Sequence, residues 1–218
     1  TIASFFQAGG PMMWVILAVL ASALAVIVER LVFFYRTAND KADDLAVTIA
    51  RQVSDNQLSK ALTTLGEDGG PAKRLMRRAL EVAWEGGEAN EIQQSVEELA
   101  MREIPTFNHR LNYLAMLANV ATLAGLLGTI FGLQQSFSSL SVAEAAQKSS
   151  VLAAGISQAM NTTAFGLMVA MPLLAIHAKL QSLATSRTED CDAGVVKLLN
   201  FFNARNRRSG NSNTRVVA

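Results

Sequence analysis

The sequence predicts an all-α integral membrane protein, and three observations lead to that fold class. Half of the 218 residues are hydrophobic. Charged residues are absent from two long stretches, 111–133 and 151–176, and occur in a third, 12–35, only as Glu29 and Arg30 near its end. A helix needs about 20 apolar residues to cross a bilayer. No segment shows the strict apolar–polar alternation of a β-strand. We therefore expect three transmembrane helices, with long helices extending into the cytoplasm.

Charge and cysteine content argue against several other classes of protein. The net charge is +1, so no basic field indicates a nucleic-acid partner. Cys191 is the single cysteine and has no His or Cys beside it, so we expect neither a disulfide nor a metal site. No nucleophile–base pair or set of metal ligands is apparent, so we expect no cofactor and no enzymatic activity.

The positions of Lys and Arg predict the orientation in the membrane. Residues 1–11 carry no basic residue, and 134–150 carry only Lys148. Basic residues instead follow the first and third stretches, so the positive-inside rule places the N-terminus in the periplasm and the C-terminus in the cytoplasm. No Lys or Arg precedes Arg30, which favours a retained helix over a signal peptide. We expect Glu29 and Arg30 to extend their charges towards the inner interface.

The cytoplasmic insert at 36–110 has the apolar spacing of helices. Helices are predicted at about 40–52, at 58–65 and from Pro71 onwards, with breaks at 66–71 and at Gly86-Gly87. The basic helix after Pro71 either binds membrane lipid or presents a solvated face. A further helix is predicted to run from about Glu91 to Phe137, where Pro105 either bends it or starts a new turn. Beyond the third span, 177–202 predicts a cytoplasmic helix and 203–218 a disordered basic tail.

Polar and small residues inside the second span are the first half of a candidate site. Asn119, Thr122, Gly125, Thr129 and Gly132 recur every three or four residues and so share one helix face. Gly128 and Gly132 add a small-xxx-small pair that lets two helices approach closely.

The second half of the candidate site lies in the third span. Ala159, Thr163, Gly166 and Ala170 form a stripe of small residues, and Gln158, Asn161 and Thr162 form a polar patch beside it. Pro172 removes a backbone donor and is expected to kink the helix. Such residues can serve packing alone, but polar groups are costly in mid-membrane and usually face a bundle interior or a wet cavity. We therefore favour a functional lining.

The second and third spans contain no Asp, Glu, Lys, Arg or His. A proton carrier usually needs a titratable group within the membrane. If the chain moves ions, a partner must supply the carboxylate.

Two motifs carry a resemblance to a known family. Leu-Leu-Gly-Thr-Ile-Phe-Gly at 126–132, with Ser136-Phe137 after it, resembles the second-helix signature of the ExbB/TolQ/MotA family. Gly-Ile-Ser-Gln-Ala-Met-Asn-Thr-Thr-Ala-Phe-Gly-Leu at 155–167, with Val-Ala-Met-Pro at 169–172, is similar to its third-helix signature. Three spans favour the ExbB/TolQ branch, because the MotA branch has four.

The resemblance implies that the protein is one subunit of an ion-driven motor complex. Members form a homo-pentamer around two copies of a one-helix ExbD/TolR-like partner whose membrane aspartate carries the ion. A TonB-like, TolA-like or motility transducer can be a further partner of this complex. By carry-over, Thr129 and Thr163 face that aspartate. The work could be uptake, envelope maintenance or gliding motility.

Two departures from the family pattern bear on the ion. Many members have Glu where this chain has Gln158, and Ala where it has Thr162. Paired hydroxyls at Thr162 and Thr163 could hold Na⁺, which takes oxygen ligands, so a sodium-driven motor stays an alternative to a proton-driven one. A structural scaffold that recruits cytoplasmic proteins is the remaining alternative.

Overall fold

The computed structural model describes residues 9–37, 42–55, 57–66, 69–141 and 146–213. The described residues are helical and include no strand, as predicted. Three helices are long and apolar enough to cross a membrane. The chain divides into two units, Thr1–Leu31 with Arg110–Gln181 and Val32–His109 with Ser182–Ala218. Each unit is described by itself below.

The first unit contains the apolar helices. Helix α1 spans Met12–Thr37, α7 spans Leu111–Leu140, and α8 begins at Lys148. The side chains of α1 that are buried within the unit recur at helical spacing: Met13, Ile16, Ala23 and Ile27. Large apolar side chains on the opposite sides of these helices are exposed, as expected for surfaces that face lipid: Leu24, Val28, Leu123, Ile130, Met160 and Met168.

The second unit is a cluster of short helices. They are α2 at Ala42–Ser54, α3 at Leu58–Leu65, α4 at Pro71–Trp84, α5 at Ala89–Glu103 and α6 at Pro105–Asn108. Their apolar faces supply a buried core that includes Ile49, Leu65, Leu75, Met76, Leu80, Val96 and Phe107. The predicted insert helices are therefore present.

The breaks between these helices have local causes. Gly86 has φ +85°, and the Gly87 N–H donates to the Val82 carbonyl at 3.0 Å, which is the Schellman ending of a helix. Pro71 occupies the first turn of α4, where its missing N–H costs nothing. The Glu88 N–H donates to Glu91 at 3.0 Å as half of a capping box that starts α5.

The predicted continuous helix from about Glu91 to Phe137 is wrong. Helix α5 ends at Glu103, α6 is a single turn, and α7 starts afresh after Arg110. Arg110 has φ +61° and is the one described non-glycine residue with a positive φ. This left-handed conformation cannot occur inside an α-helix, so α7 begins as a separate helix after Arg110.

Helix α8 is a single helix of 66 residues, Lys148–Asn213. It continues through Pro172 without a break, although the proline removes one backbone hydrogen bond. It also passes residue 203, the predicted start of a disordered tail, because adding a residue to an existing helix is far easier than nucleating one. Residues 214–218 of that tail lie outside the described residues.

The C-terminal part of α8 packs on α2 within the second unit. A Cβ added at Gly194 would lie 2.7 Å from the Ala42 carbonyl oxygen, so the two backbones approach too closely for a side chain. Lys197 forms an ion pair with Asp43 at 2.7 Å. Cys191 is buried on the same stretch of α8, and burial, with Asp192 and Glu103 nearby, raises the pKa of its thiol to about 12.

Candidate functional site

Helices α7 and α8 cross along a seam of small residues. A Cβ on Gly125 would lie 3.3 Å from the Cα of Gly166, and one on Gly132 would lie 3.1 Å from the Cβ of Ala159. A Cβ on Gly128 would overlap the methyl group of Thr162. The two helices therefore run antiparallel at a separation that only glycine allows, as the small-xxx-small spacing predicts.

Thr162 lies at the centre of this seam and is fully buried. Its hydroxyl is 2.7 Å from the carbonyl oxygen of Gly9 and 2.9 Å from that of Gln158. The hydroxyl has one hydrogen to donate, and both acceptors are backbone carbonyls. Thr162 thus links α8 to the segment that precedes α1, a role that sequence spacing does not reveal.

Three other threonines form what we call the hydroxyl face: Thr122, Thr129 and Thr163. Thr163 donates across the helix pair to the Gly125 carbonyl at 3.0 Å. Thr129 donates to the Leu126 carbonyl at 2.5 Å, and Thr122 to the Ala118 carbonyl at 3.2 Å. Thr122 and Thr129 are seven residues apart on one side of α7, and Gly125 lies between them. All three side chains keep some exposure.

The polar residues at 158–163 of the third span do not all share one face. Asn161 and Thr163 are two residues apart, which is about 200° around a helix, and the buried Thr162 lies between them. Thr163 belongs with α7, whereas Asn161 is on the other side of α8. These polar residues therefore divide into a hydroxyl part at Thr163 and an amide part that includes Asn161.

Gln158 belongs to the amide part. Its Nε2 lies so close to Gly10 that a Cβ there would overlap it, and Gly10 has φ +73°. Gln158 also lines a groove of about 580 Å³. Other residues that line this groove are Gly9, Met12, Phe131, Gln134, Gln135 and Ser138. Amides and backbone groups of α1, α7 and α8 therefore meet at the N-terminal end of α1.

A charged cluster that the sequence did not predict lies at the other end of α1. Arg110 binds Glu29 at 2.6 Å, and Arg30 approaches the same carboxylate at 3.4 Å. Arg30 is only 4% exposed, so its side chain packs within the unit and does not extend towards the inner interface as expected. The cluster connects the last turns of the first span to the start of the second. Glu29 and Arg110 are 81 positions apart, so no local sequence pattern predicts their contact.

Fold and site together define a class of protein. It is a three-helix integral membrane protein whose second and third spans pack through glycines and carry hydroxyls and amides but no Asp, Glu, Lys, Arg or His. The chain belongs to the MotA/TolQ/ExbB proton channel family, whose model matches residues 67–193.

Curated relatives agree with that membership. A putative biopolymer transport protein, ExbB-like 3, from Synechocystis sp. is 30% identical over 179 residues, which cover 81% of this chain and 83% of the relative. A putative ExbB homolog from Methanothermobacter thermautotrophicus is 24% identical over 191 residues, 87% of this chain and 65% of the relative. The Tol-Pal system protein TolQ of Haemophilus influenzae is 37% identical over 93 residues, 42% of this chain and 40% of TolQ.

Proposed function

We propose that this protein is the ring-forming subunit of a proton-driven rotary motor in a bacterial inner membrane. One observation carries the proposal: the hydroxyl face lies on two membrane helices that contain no Asp, Glu, Lys, Arg or His at 111–133 or 151–176. Hydroxyls can receive a proton carrier but cannot themselves titrate at physiological pH. A second protein has to bring the carboxyl group.

The proposed partner is a one-helix protein of the ExbD/TolR type. Five copies of this chain would surround two copies of the partner, and each chain would present Thr129 and Thr163 to the carboxyl group. Relatives named for biopolymer transport and for the Tol-Pal system support a machine that energises work across the periplasm. A TonB-like, TolA-like or motility transducer would receive that work.

The proposed cycle uses the charge state of the partner carboxyl. A protonated carboxyl is neutral and can pass the apolar surface of the ring, whereas a carboxylate needs water or a charged neighbour. Alternate protonation and release on opposite sides of the membrane would then move partner and ring relative to each other. The positive-inside rule places the N-terminus in the periplasm and the C-terminus in the cytoplasm for this cycle.

The test replaces each proposed lining hydroxyl and follows the work of the intact complex. We expect Thr129→Ala and Thr163→Ala to assemble but to lose most of the work that a proton gradient drives, measured in cells with and without a protonophore. Thr48→Ala is the matched control, because Thr48 donates to its own helix carbonyl at 2.9 Å in the second unit. Full work in both lining variants would contradict the assigned roles.

The same assay separates protons from sodium. A proton motor keeps working when Na⁺ is replaced by K⁺ and stops with a protonophore. The hydroxyls of Thr162 and Thr163 are directed at carbonyls of different segments, Gly9 and Gly125, and this divergence supports the proton motor over a sodium site formed by both threonines. Work that needs Na⁺ and survives the protonophore would favour the sodium alternative.

A further inference from the structure

We propose that the groove at the N-terminal end of α1 binds one phospholipid per chain, and that it favours zwitterionic phosphatidylethanolamine over anionic phosphatidylglycerol. The groove is the one of about 580 Å³ that Gln158 lines. None of the three threonines of the hydroxyl face lines it. The inference therefore concerns a second site and does not depend on which ion the ring carries.

The packing of the three apolar helices explains why a groove forms here. A Cβ on Gly128 would lie 3.3 Å from the Cβ of Met12, the first residue of α1. Helix α7 continues from Gly128 to Leu140 and so extends about 18 Å past that level. Thr162 of α8 contacts the same glycine, and α8 begins at Lys148, about 21 Å before Thr162. Two helices therefore extend beyond the start of α1, and the groove lies between them.

The groove also spans the boundary between apolar and polar residues. Met12 and Phe131, which line one part of it, belong to the apolar stretches of the first and second spans. The residues that line another part follow the second stretch directly: Gln134, Gln135 and Ser138. In a bilayer the hydrocarbon core ends where such stretches end, and the polar part of the phospholipids begins there. The groove is therefore at the level of the glycerol esters and headgroups.

The size and the lining of the groove suit part of a lipid molecule. Its volume of about 580 Å³ is within the range of small-molecule sites, about 300–1,000 Å³, whereas a whole phospholipid is larger. Met12 and Phe131 can contact the start of an acyl chain, and the rest of that chain continues over the exposed apolar surface at Ile130. The amides of Gln134 and Gln135 have N–H groups that can donate to ester and phosphate oxygens.

The charge of the groove indicates which headgroup it favours. None of the described residues that line it is charged. Helix α7 carries no charged residue, and Lys148 is the charged residue of α8 nearest in sequence to Gln158, about 15 Å away along the helix axis. Sites that attract anionic lipids do so with Lys and Arg, which this groove lacks. Phosphatidylethanolamine carries its own ammonium group beside the phosphate, and amide oxygens can accept its N–H groups.

The experiment measures which lipid stays on the complex after purification from membranes. The complex is exchanged in detergent with equimolar phosphatidylethanolamine and phosphatidylglycerol of different mass, and bound lipids are counted by native mass spectrometry. Ser138→Trp fills the groove from an exposed position. Ser139→Trp is the matched control, because Ser139 is exposed, adjacent on α7 and not among the described lining residues.

We expect the wild type and Ser139→Trp to keep one lipid per chain, with phosphatidylethanolamine in roughly two- to tenfold excess. Ser138→Trp should keep none. Added phosphatidylethanolamine should raise the thermal unfolding midpoint of the first two proteins and leave that of Ser138→Trp unchanged. Gln135→Leu removes one amide at an exposed position and should lower the retention of phosphatidylethanolamine by roughly two- to tenfold, the value of one hydrogen bond.

Three other results would overturn the inference. Equal lipid retention by both tryptophan variants would show that the lipid binds elsewhere, and an excess of phosphatidylglycerol would contradict the argument from charge. A wild-type complex without lipid, whose oligomeric state changes in Ser138→Trp, would show that a second copy of the chain fills the groove. If Ser138→Trp does not assemble, Gln135→Leu decides, and unchanged retention of phosphatidylethanolamine in that variant would overturn the inference.

Discussion

At the residue scale, neighbouring threonines have different roles because the helix turns them to different surroundings. Thr162 is fully buried against Gly128 and links to the Gly9 carbonyl, whereas Thr163 keeps some exposure and bridges to Gly125. The glycines matter as much as the hydroxyls, because a glycine has no side chain and so leaves room for a threonine or an alanine of the facing helix.

Gly128 and Thr162 provide a test of this packing. We expect Gly128→Ala to destabilise the protein by about 1–3 kcal/mol, because its Cβ overlaps the Thr162 methyl and overpacked cores cost about that much. Thr162→Ser removes the methyl and keeps the hydroxyl, so the double variant should recover part of the loss. The measurement is the thermal unfolding midpoint in detergent. Additive losses in the double variant would contradict the contact.

Cys191 provides a test at a titratable residue outside the spans. The raised pKa, about 12, keeps its thiol protonated, and the thiolate is the reactive form. We expect a water-soluble maleimide to leave Cys191 unmodified from pH 7 to pH 9 in the folded protein and to modify it after denaturation. A cysteine placed at exposed Ser59 in the Cys191→Ala background should react, faster as pH rises. Rapid labelling of native Cys191 would show that this part of α8 opens.

At the element scale, the start of the second span is set by a conformation rather than by a change in hydropathy. Arg110 adopts a left-handed backbone and places its guanidinium on Glu29. Helix α7 starts from there without a side-chain cap. The turn therefore depends on one residue that supplies both an unusual φ and a charged contact.

Two substitutions at Arg110 separate these contributions. Both Arg110→Ala and Arg110→Gly remove the contact with Glu29, but only glycine relieves the left-handed strain, which is about 1–2 kcal/mol for a residue with a side chain. We expect Arg110→Gly to unfold at a higher temperature than Arg110→Ala. Equal midpoints, or a lower one for glycine, would mean that the backbone at Arg110 is not left-handed in the membrane.

At the scale of the whole molecule, α8 contributes to both units. Its N-terminal part carries Thr162 and Thr163, and its C-terminal part packs on α2 beside Gly194 and Lys197. The integrity of the second unit therefore depends on contacts between residues about 150 positions apart.

Packing should outweigh charge at this contact. Asp43 and Lys197 have more than half of their side chains exposed, and such pairs contribute about 0–1 kcal/mol. Gly194→Ala places a carbon 2.7 Å from the Ala42 oxygen and must push α2 away. We expect Gly194→Ala to expose α2 to limited proteolysis and Lys197→Ala to leave it protected. The reverse order of sensitivity would show that the ion pair holds α2.

Much of the fold followed from sequence because its signals are local. Apolar length predicted three spans, and Gly86-Gly87 and Pro71 predicted breaks in the insert. The sequence did not predict the break at Arg110, because an arginine gives no indication that its φ is positive. It also missed the cluster around Glu29 and the Gly9–Thr162 hydrogen bond, since each depends on which helix faces which.

By itself, the sequence determined that this is a helical membrane protein of the MotA/TolQ/ExbB kind, since span length, small-residue spacing and the absence of a mid-membrane carboxylate in the second and third spans are properties of the chain alone. Only the tertiary structure decided how its polar groups are used. The Thr163 hydroxyl donates its hydrogen to a carbonyl of the next helix, whereas the Thr162 methyl packs against a glycine. Hydrogen-bond direction depends on the neighbours that packing brings, and no residue type specifies those in advance.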